Sequence, residues 1–432
     1  MSPVKPHVLV LGGNFAGLGC AQAVRKHAGD SVEITVVDKK NFLLYIPNIP
    51  TEIFESDSPQ LESSLTMDLP STFAGDDVAF IQGEVTGIDV EGRRVYFVPD
   101  ERPGAPSQHL DYDYLVVALG CRLAFDRIDG FAEYGDTVSD FYHAQKLHRK
   151  LQTDYRGGPI VIGSARFHQG NGAEGLEPYS GGSIPHAEVA CEGPPVEVSL
   201  SLANWLQRHG KGGPETITMT TPAKLIAEDA GEKVVKQLLD AASSMGFNCV
   251  NETGDVLRLT EKTIEFENGQ ALDAELKILF PDWVAHDFLR DQPITDNEAF
   301  VMTDLLMRNP DYPNALAAGD CAAATVPKLG SIGHQETDIV GRQIAKDLGL
   351  MDADEADQIL QPVVLCIGDM GSGKGFYIKS NAWYGGDTQI LELGRVPHLL
   401  KTQYKQLFLT TGGKIPPWSQ DLAEYFAERV SV

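Results

Sequence analysis

The segment "HVLVLGGNFAGLGCAQAVRKHA", His7 to Ala28, constrains the fold more than any other. His7 to Leu11 is a short apolar run that predicts a strand, and Leu18 to Ala28 predicts an Ala-rich helix. Between them Gly12, Gly13 and Gly17 punctuate a tight turn. Small residues there let the backbone approach a pyrophosphate, while the helix N-terminus offers N–H donors and a positive dipole end. The spacing is G-x-G-x-x-G with Asn14 in the middle glycine position, followed by Phe15 and Ala16. Asn tolerates left-handed backbone better than most residues. The next segment, "SVEITVVDKK", predicts a second strand ending at Asp38, about 20 residues beyond the last glycine, where an acid accepts hydrogen bonds from ribose hydroxyls. Strand, turn, helix, strand and terminal acid in register predict a dinucleotide site in an α/β fold. A glycine-rich turn of purely structural use is the alternative.

Two later segments repeat the pattern of an apolar strand closing on small residues. These are "YDYLVVALGCR", Tyr112 to Arg122, and "NALAAGDCAA", Asn314 to Ala323. They resemble the two remaining FAD signatures of the flavoproteins built from two dinucleotide-binding domains, and that resemblance spans the chain. It implies two Rossmann-like domains of the glutathione-reductase type and FAD as cofactor. It implies cofactor contacts at Ala118, Leu119, Gly120, Gly319 and Asp320, with Lys39 and Val85 added from the first domain. It also implies a discontinuous FAD domain, 1–115 with 290–350. A nicotinamide-domain-like module would fill 116–289, and 351–432 would form a C-terminal region. Asp320 has a second reading as the N-cap of a helix in "DCAAA".

The second glycine loop of such proteins is missing. Pro159 to Gly163 predicts its strand, but "GSARFHQ" follows without further glycines at the needed spacing, and Phe167 and His168 would crowd a pyrophosphate. "GNGAEG", Gly170 to Gly175, matches by letter only, because no apolar strand precedes it. The Gly-, Ser- and Pro-rich stretch 166–190 reads as an irregular insertion, either a surface loop or a lid.

"CEGPPVE", Cys191 to Glu197, fits C-x-G-P-x-x-E. "PVVLCIGDMGSGKG" places Cys366 before an acid-Met-Gly turn, and "TVPKLG" runs from Thr325 to Gly330. Together these resemble the sulfide:quinone oxidoreductases and the flavin subunit of flavocytochrome c sulfide dehydrogenase. The resemblance implies that Cys191 and Cys366 form a redox pair and that Glu197 moves protons. Lys328 and Gly330 would lie beside the flavin and the quinone. Sulfide attack on a disulfide leaves a persulfide and a thiolate, and the thiolate passes its electron pair to FAD and on to quinone. Ser139 stands where many bacterial members carry a third cysteine, which removes the basis for long polysulfide growth or a covalent flavin link. Three other readings stay open. A type II NADH:quinone dehydrogenase requires the missing loop. The others are a flavin-binding protein without turnover and an enzyme passing electrons to a cytochrome. Cys20, Cys249 and Cys321 read as inert residues in apolar contexts, and Cys121 follows the flavin-proximal turn. "GDMGSGK" lacks the Ser or Thr of a P-loop.

Net charge is −26 with acids spread along the chain, which argues against nucleic acid as a partner. No apolar run is long enough to span a bilayer, and the N-terminus does not read as a signal peptide, so a cytoplasmic protein is expected. Six cysteines without CxxC or zinc spacing predict neither a disulfide framework nor a metal site. In the C-terminal region Val396, Leu400, Tyr404, Leu407 and Phe408 recur at helical spacing, with Lys401 and Lys405 off that face. Such a helix lies in the membrane interface at its inner face and admits a lipid quinone, or it packs on the protein's own core or on a second copy in a homodimer. The acidic "DLAEYFAERV" near the end reads as less membrane-seeking.

Overall fold

The structure, a computed structural model, describes residues 4–100, 104–179, 182, 184–324 and 326–415. The segment containing "DLAEYFAERV" lies outside them. Strand β1 (His7–Leu11) is buried over its last four residues and leads through the glycine turn into helix α1 (Phe15–Ala28). Strand β2 (Glu33–Asp38) pairs with β1 in parallel, Val8 opposite Ile34 and Leu11 opposite Val37. Both belong to a seven-stranded sheet in the order Ala315–Ala317, Tyr114–Val117, β1, β2, Ala79–Asp89, Arg94–Pro99, Gln108–Asp111. Its first five strands are parallel and the last two are added as antiparallel strands. The crevice outside the carboxyl ends of the parallel strands is where such sheets bind ligands.

A second parallel sheet has the order Asn248–Val250, Ile217–Thr220, Ile160–Ser164, Leu276–Phe280. Ile160–Ser164 and Leu276–Phe280 are buried along their whole lengths, as parallel strands covered on both faces must be. The chain therefore has the α/β architecture of paired Rossmann-like sheets. Helix α2 (Gly193–His209) starts with two prolines in its first turn, where no intrahelical N–H bond is lost, and ends on Gly210 in the left-handed conformation. It buries Val198, Leu202, Trp205 and Leu206.

The C-terminal region is an antiparallel sheet of β3 (Val364–Gly371), β4 (Lys374–Ser380) and β5 (Gln389–Gly394), followed by helix α3 (Arg395–Thr410). The P-loop-like letters lie in the β3–β4 hairpin. Gly371, Ser372 and Gly373 all take positive φ there, so the glycines serve a turn rather than a phosphate. Helix α3 folds back over β3 and β4.

Four expectations need correction. No helix follows Asp320, because Ala322 bridges to Val301 and the next helix begins only at Gly330. Cys249 is exposed in its strand rather than buried. Lys401 is only 5% exposed and is ion-paired with Glu197, and Lys405 pairs with Glu52 at 2.9 Å, so both lysines of α3 turn inward. The described part of 166–190 has no helix or strand, yet it is not a loose surface loop. Tyr179 is 3% exposed, donates its hydroxyl to Ala324 O at 2.9 Å and meets Tyr384 edge-on, while Gly172 N–H donates to Asp296 at 3.0 Å.

Candidate active site

The glycine turn can be built only from glycine where it closes. A Cβ on Gly12 would lie 2.3 Å from Ala118 O, and one on Gly17 would lie 1.8 Å from Gly12 O. Asn14 caps α1 by accepting Phe15 N–H at 3.1 Å. The first helical bond is Leu18 N–H to Asn14 O at 2.8 Å, so the N–H groups of Ala16 and Gly17 precede it at the helix's positive end. Gly13 N–H donates to Asp38 Oδ2 at 2.6 Å and Lys40 N–H to Oδ1 at 2.8 Å, which fixes the carboxylate at the end of β2. Ala118 continues the neighbouring strand by donating its N–H to Leu11 O at 2.8 Å. At Gly120 and Gly330 a Cβ would meet nothing within 4 Å. Leu119 O sits 3.2 Å from His286 Nε2.

Gly319, with φ of +77°, approaches Ala16 so closely that a Cβ would stand 2.7 Å from the alanine methyl, and its N–H donates to Glu336 Oε2 at 2.5 Å. Burial pushes the Asp320 carboxyl up, while Lys328 opposes that shift. Lys328 is itself buried, donating to Ala322 O at 2.6 Å and lying 4.9 Å from the Phe300 ring. Val85 packs in the core with Leu9, Leu11 and Val37, and Lys39 is exposed just past Asp38. These features fit FAD: a cradle without side chains, a helix N-terminus for the diphosphate, Asp38 for a ribose, and a buried acid and lysine further along the crevice.

After the strand Ile160–Ser164 bulky side chains stand where a second glycine loop would begin. Phe167 packs edge-on against Phe300. His168 is held by Asp282, 2.7 Å from its Nδ1, and Arg127 reaches the same carboxylate at 2.5 Å. Instead, two cysteines converge. Cys191 immediately precedes α2, and Cys366 comes from β3. The position a Cβ on Gly193 would take is 3.0 Å from Cys366 Sγ and 3.9 Å from Cys191 Sγ. Glycine at the start of α2 leaves room for both sulfurs. Burial pushes the Cys191 thiol well up, with Asp229 and Cys366 adding to the shift and Gly193 N–H opposing it. Burial also pushes Cys366 up to about 12, helped by Glu197 and opposed by Lys401.

Glu197 lies one turn into α2 and is buried. Its Oε1 accepts Asp369 N–H at 3.1 Å and is paired with Lys401 Nζ from α3. Burial raises the Glu197 carboxyl, and Lys401 partly restores it. Asp369, also buried, is 3.3 Å from His398 Nδ1. On the other side stands Glu192, the second residue of the cysteine motif. It is buried, accepts Ala227 N–H with Oε2, and is pushed up to about 8 by burial. Asp229 beside it is raised to about 6 for the same reason. The sequence reading missed Glu192, Asp229 and Lys401 as site residues. Glu192 lay inside the quoted motif, and an acid beside a candidate redox cysteine was the available signal. Nothing local marks Asp229, and Lys401 could be placed only by knowing that α3 folds back.

The family model described as pyridine nucleotide-disulphide oxidoreductase matches residues 6–166. Sulfide-quinone reductase of Aquifex aeolicus is 22% identical over 445 residues, covering 97% of this chain and 95% of that one. An NADH dehydrogenase-like protein of Mycobacterium tuberculosis is 25% identical over 325 residues, 73% of each chain. Among solved structures, the sulfide:quinone oxidoreductase of Aquifex aeolicus superposes with a TM-score of 0.79 at 20% identity, over 98% of this chain and 95% of the other, a likeness of fold. Fold, flavin cradle and family match define an FAD-dependent oxidoreductase of the two-dinucleotide-binding-domain class. Within that class the chain resembles the sulfide:quinone oxidoreductases from end to end.

Proposed function

We propose that this enzyme oxidises sulfide, or a closely related small thiol, at a disulfide formed by Cys191 and Cys366, and that the electrons leave through FAD to a quinone. The observation that carries the reading is the convergence of both sulfurs on Gly193 at the start of α2. Residues 1–115 and 290–350 form the FAD domain in this reading, 116–289 the module without its own dinucleotide, and 351–432 the region that brings Cys366 to the site.

FAD, when bound, supplies the two-electron acceptor between the thiols and the quinone. Gly12, Gly13, Asn14, Phe15, Ala16 and Gly17 would hold its diphosphate, and Asp38 with Lys39 would border its ribose. Ala118, Leu119, Gly120, Gly319, Asp320, Lys328 and Gly330 would line the rest of the cofactor site, with Val85 in the core behind it. The attacking sulfur forms one S–S bond as the bond between the cysteines breaks, leaving a thiolate. Gly193 N–H and the positive end of α2 stabilise that thiolate against the effect of burial at Cys191. Glu197, paired with Lys401, holds and moves a proton at Cys366.

Access for a lipid quinone fits α3. Leu399 is 57% exposed on its outer side, with Tyr404 also outward and Leu393 exposed on the preceding strand, while its lysines point in. No helix among the described residues is long and apolar enough to cross a membrane, and the outward apolar side chains of α3 suit contact with a membrane surface.

The deciding experiment is an anaerobic absorbance spectrum of the holoenzyme with sodium sulfide or NADH added separately. Sulfide alone should bleach the flavin band, and Cys191→Ser and Cys366→Ser should each abolish rapid bleaching. Bleaching by NADH alone would assign the chain to the NADH dehydrogenases instead.

A further inference from the structure

This inference rests on the sulfide-oxidising reading above and concerns the first proton of that reaction. Beside Cys366 lies a cavity of about 20 Å³. That is room for one small molecule. Val196, Val364, Phe376 and Ile378 form apolar walls, and Glu192, Asp229 and Cys366 supply the reactive lining. Glu192 is 2% exposed. Its Oε2 is bonded to Ala227 N–H, the Thr221 hydroxyl lies against the carboxyl, and Oε1 has no hydrogen-bond partner.

The charged groups facing Glu192 are the acids Asp229 and Glu228. Cys366 faces Glu197, Lys401 and Asp229, and Lys401 is already paired with Glu197. Cys191 faces Asp229, Cys366 and Asp320. An ionised sulfide and an ionised Glu192 together in so small and apolar a space would be two unpaired buried like charges, a strongly unfavourable state. The loaded cavity therefore holds one proton between sulfide and Glu192.

We propose that this cavity is the sulfide-docking chamber and that Glu192 takes the proton released as the sulfide sulfur attacks Cys366 of the oxidised pair. Cys366 is the target because it lines the chamber. H2S gives one proton to the Glu192 carboxylate. Its sulfur bonds to Cys366 Sγ as the Cys366–Cys191 bond breaks, and the electron pair of that bond stays on Cys191 as thiolate. The disulfide gains two electrons and the sulfide sulfur loses two, ending as the outer sulfur of a persulfide that keeps the second proton. Glu197 and Lys401, on the Cys366 side, are placed to take that second proton.

Glu192→Gln and Glu192→Asp separate proton transfer from structure. Gln keeps an oxygen for Ala227 N–H but cannot ionise, whereas Asp ionises with a shorter reach. The measurement is the second-order rate of anaerobic flavin bleaching of each holoenzyme by sodium sulfide, between about pH 6 and 9. The wild type should show a bell-shaped profile, one limb from sulfide's own ionisation and one from Glu192 near pH 8. E192Q should be about 10²-fold slower and keep only the sulfide limb, in line with loss of a general base. E192D should keep both limbs at an intermediate rate. E192Q with the wild-type rate and profile, or E192D slower than E192Q with a single limb, would overturn the inference and leave the sulfide reading intact. A wild type that sulfide bleaches at no pH would overturn the sulfide reading and this inference with it. If E192Q fails to retain flavin, E192D decides: two limbs support the inference and one overturns it.

Discussion

At the scale of single residues, the site is a set of buried charges held by specific partners. The Glu197–Lys401 pair needs both members, because removing one leaves the other buried and unpaired. Glu192 differs, having one oxygen bonded to backbone and one without a hydrogen-bond partner. This has a consequence for stability that does not depend on turnover. The carboxyl stands at about 8 in the folded protein, against about 4.3 in an unfolded chain. A raised carboxyl pKa contributes stability that is fully present below the unfolded value and is lost as pH rises through the folded one. E192Q should therefore be no more stable than wild type near pH 4, and should gain relative to it by a few kcal/mol up to about pH 8. Denaturant unfolding at a series of pH values checks this, and parallel curves for the two proteins would contradict it.

At the scale of elements, the start of α2 is the critical feature. Gly193 has an ordinary backbone conformation, so alanine is allowed there by φ and ψ. Its methyl, however, would stand 3.0 Å from Cys366 Sγ. Gly193→Ala should leave flavin content and helix stability nearly unchanged while slowing sulfide-driven bleaching by at least about tenfold, since small displacements of reacting atoms have such effects. Titration of thiols after mild oxidation would show the two cysteines failing to join. The same scale shows why some elements were legible in advance and others were not. β1, α1 and β2 announce themselves through alternation, glycine spacing and a terminal acid, and the structure reproduces them at His7–Leu11, Phe15–Ala28 and Glu33–Asp38. The inward turn of Lys401 was not legible, because a lysine off an apolar face looks solvated until its partner from α2 is known. Asp320 looked like a helix cap, but the backbone after it is drawn into a bridge with Val301, a tertiary interaction that local propensity does not encode.

At the scale of the whole molecule, α3 joins regions far apart in sequence. Lys401 reaches Glu197 in α2, Lys405 reaches Glu52, Phe408 packs on Phe15 and Tyr45, and Gln22 Nε2 donates to Gly412 O at 2.8 Å. Deleting residues 395–432 would strip Glu197 of its cation and uncover the aromatic cluster beside the glycine turn. The truncated protein should lose at least about 3 kcal/mol, as expected for a broken buried pair, and should release flavin on gel filtration where the full chain retains it. Full flavin retention by the truncated form would mean that α3 is dispensable to the cofactor domain.

The reach of α3 also orders events in time. The turn that cradles the diphosphate is synthesised well before the helix that rests on it, with contacting residues separated by 353 and 390 positions. Contacts so distant in sequence form late, because the chain must be closed over its whole length before they yield any stabilisation. The nascent protein therefore has the glycine turn and Asp38 in place before Gly319 and Asp320 complete the cradle, and before α3 roofs it. FAD can enter while the crevice is open, and α3 then shuts it in.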